Sequence, residues 1–431
     1  MQSVIHHSQI PVSHTTTLAG ELALSNEQSL DELEELLMTL GVKTVARIVQ
    51  KRQHLEASTL LGSGKVEEIK KMAQELCVDY VVFDFKISGP QARNLQEIIG
   101  LQILDRAGVI IDIFAKHAKT KVAKIQVEIA QLEYQMPRLA HAWSHFGRQN
   151  GGGMLSRGMG EKQIEVDRRR ARERLSQLKK KLKVIEEEHR TQSKRRRKEI
   201  SVALIGYTNS GKTTLMSQLS SGHFAAEDAL FATLDTSVRS LDPSTHPRIL
   251  ISDTVGFIKN LPHGLIASFK STLAQAVEAD LLLQVVDLSH PQFEDHIDVT
   301  TQVLQEIGAA EIPRLLVFNK IDRLSEQFLP KIIAKKYPHA IFLSAHDEVA
   351  TKKMRQWIYD YFDEHFKAVD VHIDGNNHEI ISYIYRWCHV NKVEYGDDGM
   401  VHFSLRGPKN AINKILNFKV NRSEEYLQFS V

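Results

Sequence analysis

Cysteine is scarce: Cys77 and Cys388 are the only two in 431 residues, far apart and without a CxxC spacing. That pattern supports neither a disulfide framework nor a thiolate zinc site. No apolar run reaches the roughly eighteen residues that a membrane helix requires, so stable membrane insertion is not expected. The opening MQSVIHHSQI lacks the charged start and apolar stretch of a secretory signal, and a cytoplasmic location is expected. Tandem repeats are missing too. So is any large net charge, the formal balance being +2. That balance hides an asymmetry, because residues 161–199 hold sixteen Lys/Arg against eight Asp/Glu. A basic stripe on a near-neutral chain points to a polyanionic partner, nucleic acid first, or else to a solvated charged helix. Apolar and charged fractions of 42% and 25% are those of a globular protein and exclude wholesale disorder.

The length suits two or three domains. Residues 1–110 alternate amphipathic helices with apolar strands: a helix from Ser29 to Gly41, a strand through Val45 and Ile48, LLGSGKVEEIKKMAQEL, YVVFDF, QARNLQEIIG and LQILDR. The pattern predicts a small parallel α/β domain. Residues 111–195 read as an antiparallel coiled-coil hairpin, with long helices over 112–136 and 162–190. Ile125, Ile129 and Leu132 form one apolar seam, and Leu175, Leu178, Leu182 and Ile185 the other. Its Gly-rich tip, 147–160, is too long for a simple turn. A second α/β domain spans 196–366. Residues 367–431 suggest a small α+β domain of three strands and two helices.

The chemistry lies in the second α/β domain. The strand SVALIG runs into Gly206-Tyr207-Thr208-Asn209-Ser210-Gly211-Lys212-Thr213 and then into a helix. This is a phosphate-binding loop in its strand–loop–helix context, where glycines let backbone N–H groups close around phosphates. Lys212 is placed to reach the β and γ phosphates, and the Thr213 hydroxyl to ligate Mg²⁺. A look-alike at Gly62-Ser63-Gly64-Lys65 has Val66 after the lysine, so it cannot supply that hydroxyl and reads as a helix start. ILISDTVGF puts Asp253 at a strand end, followed by Thr254, Val255 and Gly256, whose N–H can sense a γ-phosphate. LLVFNKID brings Asn319, Lys320, Ile321 and Asp322 after another strand. A carboxylate there accepts both the N1–H and the exocyclic amine of guanine, donors that adenine lacks. Ser344, Ala345 and His346 follow, with backbone positioned for the guanine carbonyl oxygen. Between these motifs, ALFATLDTSVRS (with Phe231, Ala232, Leu234 and Asp235) must supply a threonine that closes over Mg²⁺. Thr233, Thr236 and Ser237 compete by pattern.

The order GKT, FATLD, DTVG, NKID, SA is that of a Ras-like GTPase. The longer string GYTNSGKTTL…FATLDTSVR…DTVGFIKNLPHGLIASFKSTL closely resembles the HflX family of ribosome-associated GTPases. Upstream blocks (LLGSGKVEEI, ISGPQARNLQEI, LDRAGVIIDIFAKHAKT, QVEIAQLEYQMPRL, RGMGEKQIEVDRR) extend the resemblance over about residues 15–366. It implies a Ras-like P-loop GTPase domain preceded by the small α/β domain with its hairpin and followed by the α+β domain. It selects Thr233 as the switch threonine and Mg²⁺ ligand beside Thr213. It also implies GTP and GDP as ligands, the large ribosomal subunit and its RNA as partners, and a role in splitting or rescuing stalled or idle ribosomes. A monomer is expected. Where the family usually has RGPGETQLE after a longer glycine run, this chain has RGMGEKQIE after three glycines. Phe257 stands where Ras-type enzymes place a water-orienting glutamine, so hydrolysis is expected to be slow alone and stimulated by ribosomes. Lys212, Thr233, Gly256 and Asn209 are the expected catalytic set. Asn209 has two readings: a ligand for K⁺ beside the phosphates, as in similar GTPases, or a brace for the loop. Arg148, Gly151, Gly152, Gly153, Arg157, Arg168 and Arg169 are the expected ribosome contacts, with Trp143, His145 and Phe146 available for stacking on bases. The competing functions are ATP-driven RNA remodelling or ribosome assembly, and a protein–protein scaffold built on the hairpin. No second phosphate loop or helicase motif set supports the former.

Overall fold

The structure, a computed structural model, describes residues 9–16, 22–51, 56–139, 155–196, 199–220, 230–231, 237–243, 245, 247–259, 270–326, 328–396 and 399–420. The chain divides into two compact units. One comprises residues 1–187 with 228–235 and 259–271; the other comprises 188–227, 236–258 and 272–431.

In the first unit, β1 (Gln9–Thr16) lies between β2 (Lys43–Lys51) and β3 (Tyr80–Phe83), with β4 (Gln102–Asp105) outside β3, all parallel. Helices α1 (Leu22–Leu40), α2 (Ser63–Glu75) and α3 (Gly89–Ile99) make the crossovers, and α4 (Arg106–His117) follows β4. The GSGK stretch is a helix start as expected: Gly62 is the N-cap and Lys65 pairs with Glu68 at 2.8 Å. A capping box between Ser88 and Gln91 opens α3. Arg106 is buried, yet its guanidinium is matched: Nη1 donates to Asp84 at 2.6 Å and Nη2 pairs with Glu32. A buried cation needs such partners to offset lost hydration.

Sequence periodicity misjudges three places here. QIPVSHTT alternates only at Ile10 and Val12 before a polar Ser-His-Thr-Thr run, yet it forms the inner strand β1. Its Pro11 sits at a register shift, where a missing N–H is tolerated. The helix expected over 112–136 is two helices. Thr120 interrupts it and starts α5 (Lys121–Leu139), its hydroxyl accepting the Ala123 N–H at 3.1 Å. Residue 110 therefore lies inside α4. Helix α6 (Leu155–Arg196) runs 42 residues, so 155–160 of the expected tip has helical backbone. No proline stands in this stretch to break the helix.

Helices α5 and α6 form the hairpin. Ile125 and Ile129 pack with Leu178 and Leu182, and Val122, Leu132, Leu175 and Ile185 lie against them. Arg174–Glu128 at 2.7 Å and Lys179–Glu133 at 2.8 Å flank this seam.

The second unit holds a six-stranded sheet, order β10-β9-β8-β5-β7-β6. Its strands are β5 (Ile200–Ile205), β6 (Ser237–Ser240), β7 (Ile249–Asp253), β8 (Leu281–Asp287), β9 (Arg314–Asn319) and β10 (Ile341–Phe342). Only β6 is antiparallel to its neighbour. Helices α7 (Lys212–Leu219), α8 (Lys270–Val277), α9 (Phe293–Ile307), α10 (Leu329–Lys336) and α11 (Glu348–His365) join the strands. β5 and β8 read as continuous apolar runs because parallel strands are buried on both faces. Their carboxyl ends collect at one edge, where α/β sheets bind ligands.

The C-terminal part has β11 (Lys367–Asp374), α12 (His378–Trp387), β12 (His389–Tyr395), β13 (Met400–Gly407) and α13 (Lys409–Val420). Its antiparallel sheet, order β11-β13-β12, buries Val371, Phe403 and Leu405 with Ile384 and Ile412. This is the expected three strands and two helices. Both cysteines are free; Cys388 is buried, which pushes its thiol up to about 12.

Candidate functional site

The phosphate loop leaves β5 at Gly206, whose φ is +145° and whose Cβ, were there one, would lie 2.2 Å from the Val285 carbonyl oxygen. Only glycine fits that close approach. The loop is then laced to the segment after β7. Thr208 N–H donates to the Phe257 carbonyl at 2.8 Å, and Phe257 N–H to the Gly206 carbonyl at 3.0 Å. Thr213 Oγ1 donates to Asp253 Oδ2 at 2.7 Å, so the two groups expected around a magnesium ion meet although forty residues apart. Asp253 is fully buried. The hydroxyls of Thr208 and Ser210 are buried in the loop with no hydrogen-bond partner among the described residues. Such a set of hard oxygen donors suits Mg²⁺ and phosphate rather than a soft metal.

Lys212 is buried, its ammonium donating to the carbonyls of Tyr207 at 2.7 Å and Gly206 at 3.2 Å. Burial lowers this amine from the ordinary 10.5 to about 8; the Asp253 carboxylate opposes the shift and the Lys320 cation adds to it. A cation held this way, short of anionic partners, is electrostatically prepared for a polyphosphate.

Asn319 joins two loops. Its Nδ2 donates to the Ser210 carbonyl at 2.9 Å, and its Oδ1 accepts the Ala345 N–H at 2.8 Å. Its role here is to brace the site, which its place in NKID alone did not reveal. Lys320 pairs with Asp287 at 2.8 Å and donates weakly to Asn209 Oδ1 at 3.5 Å. Asp322 is exposed, its carboxyl held below the usual range first by a hydrogen bond from Ser344. It remains ionised and open to a base. Ile321 lies between, and His346 N–H donates to Ser344 Oγ at 3.3 Å.

Phe257 is 1% exposed, its ring inside the core, so it cannot touch a water at the γ-phosphate. Thr254 Oγ1 anchors the same segment to the Leu204 carbonyl at 2.8 Å, and Val255 is buried. Ala232, Thr233, Leu234, Asp235 and Thr236 lie outside the described residues. Phe231 groups with the first unit instead of the nucleotide loops. Its buried ring meets Phe114 edge-on at 4.7 Å, as a large apolar ring prefers an aromatic seat to charged phosphates.

Of the expected ribosome contacts, Arg148, Gly151, Gly152 and Gly153 lie outside the described residues, as do Trp143, His145 and Phe146. Arg157 falls on the backbone of α6, its side chain outside the description. Arg168 and Arg169 are on the same helix, Arg169 exposed. Further along, Arg172, Leu175, Ser176, Lys179, Lys180 and Lys183 line an open groove of about 460 Å³. One pairing escaped sequence reasoning: the Tyr207 ring stacks on that of His296, centroids 3.7 Å apart and planes 6° apart. Eighty-nine positions separate them, and no local spacing could have shown it.

Three family descriptions match in succession: GTP-binding GTPase N-terminal over residues 27–115, GTP-binding GTPase Middle Region over 117–196, and 50S ribosome-binding GTPase over 201–320. Proteins named GTPase HflX are similar along most of the chain. That of Gluconacetobacter diazotrophicus is 39% identical over 414 residues, 88% of this chain and 91% of its own. The Flavobacterium psychrophilum protein is 42% identical over 356 residues, 78% and 86%. The Escherichia coli protein is 36% identical over 385 residues, 88% and 90%. Among solved structures, a GTP-binding protein from the archaeon Sulfolobus solfataricus in complex with GDP is 21% identical. The match covers 81% of this chain and 97% of that one, with a TM-score of 0.41.

Proposed function

Because the chain belongs to the HflX family of GTPases, we propose that it is a GTP-controlled factor that binds the large ribosomal subunit and splits or rescues stalled or idle ribosomes. The observation that carries the ribosome reading is the basic groove of α6, where Arg172, Lys179, Lys180 and Lys183 crowd one open surface. Such a surface suits an RNA backbone, and its binding is salt-dependent. The catalytic segment matching a ribosome-binding GTPase description supports the same partner.

Within the G segment, Lys212 is the group for the β and γ phosphates, and the Gly256 N–H is the sensor of the γ-phosphate. Asp322 selects guanine by accepting its two N–H donors, and Asn319 keeps the base loop registered on the phosphate loop. Thr213 and Thr233 would hold a magnesium ion, with Asp253 hydrogen-bonded to Thr213, and the ion would supply positive charge beside the phosphates. With the Phe257 ring in the core, no side chain at that position orients the attacking water. Hydrolysis is therefore slow until a ribosome completes the site. Asn209 would hold potassium as a second source of transition-state charge; equal rates in KCl and NaCl with ribosomes present would exclude that role and leave Asn209 as a brace for the loop.

Gradient sedimentation with ribosomes tests the reading. A non-hydrolysable GTP analogue should carry the protein to the large subunit, and GDP should release it. Equal association in both states would defeat it.

A further inference from the structure

The phosphate loop carries a large aromatic at Tyr207, and the GTPase chemistry described so far does not use its ring. It is buried, and it lies flat on His296 in the first turns of α9. His290 meets the other partner of this stack, its centroid 4.4 Å from that of His296 at 35°. His290 is itself fixed by the turn after β8, accepting the Gln292 N–H on Nδ1 at 3.1 Å. The same turn begins at Asp287, which holds Ser289 through its N–H at 3.0 Å and binds Lys320 at 2.8 Å. Lys320 in turn reaches Asn209 in the phosphate loop. The loop is thus held at two points by the stretch running from β8 into α9: through the stack of His296 on Tyr207, and through Asp287 and Lys320 at Asn209.

We infer that His296 is a positioning residue for GTP hydrolysis, acting through its stack on Tyr207. Tyr207 stands where a small movement has the largest effect. Its carbonyl is the seat of the Lys212 ammonium. Its backbone lies between the two hydrogen bonds that tie the phosphate loop to Phe257. Next to them, a Cβ on Gly256 would lie 2.8 Å from Thr208 Cα, so the γ-phosphate sensor has no slack against the loop. A shift of the Tyr207 backbone, which the ring stack on His296 resists, would therefore displace both Lys212 and the Gly256 N–H. Ångström-scale misplacement of such groups costs far more in turnover than in ground-state binding. The ring face, rather than a ring proton, does the positioning: the planes are nearly parallel at van der Waals separation.

Full-length His296→Ala, Tyr207→Leu, their double variant and His296→Phe decide the matter, each checked for folding by its melting curve. Single-turnover hydrolysis at saturating GTP is measured together with GDP affinity. Expected for His296→Ala is at least a tenfold loss of rate, about 1.4 kcal/mol of barrier, with GDP affinity changed less than about threefold. The double variant should lose little more than either single one, because both break the same stack. His296→Phe, which keeps an aromatic face without ring nitrogens, should recover most of the lost rate. A His296→Ala protein that folds and hydrolyses at the parental rate would overturn the inference. So would equal losses in rate and GDP affinity, or a His296→Phe protein that recovers none of the lost rate.

Discussion

Gly206 shows how much a single position constrains. A methyl group there would collide with the Val285 carbonyl and sit at φ +145°, a conformation that side chains rarely adopt. Overpacking and backbone strain together should cost Gly206→Ala about 2–6 kcal/mol. Urea unfolding measures this, and a loss under about 1 kcal/mol would mean that the loop shifts freely. Lys212 makes a prediction in pH. With its folded value lowered to about 8 from 10.5, the amine is largely neutral at pH 9 in the nucleotide-free protein. Phosphates favour the charged form and raise that value, so binding at pH 9 should take up close to one proton, whereas at pH 7 it should take up almost none. For folding the sign is the converse of a stabilised cation: the charged form is penalised below the folded value, and the penalty fades as pH rises from 8 toward 10.5. Calorimetry of GDP binding in buffers of different ionisation enthalpy reads the uptake; equal proton counts at pH 7 and 9 would refute it. At Asp322, exposed and ionised, Asn should shift preference from guanine to xanthine nucleotides, since an amide donates to the extra carbonyl. Competition between GTP and XTP for the site is the readout, and unchanged selectivity would remove Asp322 from base recognition.

Among the elements, the hairpin carries the ribosome reading. Neutralising Arg172, Lys180 and Lys183 to Gln leaves the apolar seam of Ile125, Ile129, Leu178 and Leu182 intact. Folding should be unaffected, while ribosome affinity falls and the slope of its logarithm against that of salt flattens by about 2. An unchanged slope would assign the groove to a protein partner. Deleting residues 148–160 should leave basal hydrolysis intact, weaken ribosome association moderately and abolish splitting. Wild-type splitting by the deletion would show the tip to be dispensable. Elements also mark the limit of reading a sequence. β3, β5, β8 and β9 were legible because buried parallel strands are short apolar runs, and α3 because its amphipathic run is closed by Gly100. β1 was not, because its Ser, His and Thr residues give no alternation and its partners are fixed by topology. The break at Thr120 was hidden by apolar spacing that continues on both sides. Motif order exposed the phosphate loop, Asp253 and NKID, since each is local. The Tyr207–His296 stack and the bracing by Asn319 are long-range contacts, set by how β5, β8 and β9 lie side by side.

For the whole molecule, the division of the chain is the feature with the widest reach. The first unit is not a continuous stretch: residues 228–235 and 259–271 belong to it, and Phe231 supplies a buried ring against Phe114. A fragment ending at residue 187 would leave that seat unfilled. Its stability should fall below that of the same unit in the full chain by several kcal/mol, the scale of losing a buried Phe side chain. Hydrogen exchange at α4 in both proteins compares them, and equal protection would show the added segments to be ornamental. The same interleaving sets a timetable during synthesis. When residue 187 has left the ribosomal exit, the first unit still awaits segments that end at residue 271, roughly eighty residues later. At about 5–20 residues per second, that is a wait of about 4–16 seconds. Phe231, whose ring seats against Phe114, follows residue 187 by 44 positions, about 2–9 seconds of that interval, and until it arrives the nascent protein is a client for whatever shields apolar surface at the tunnel mouth.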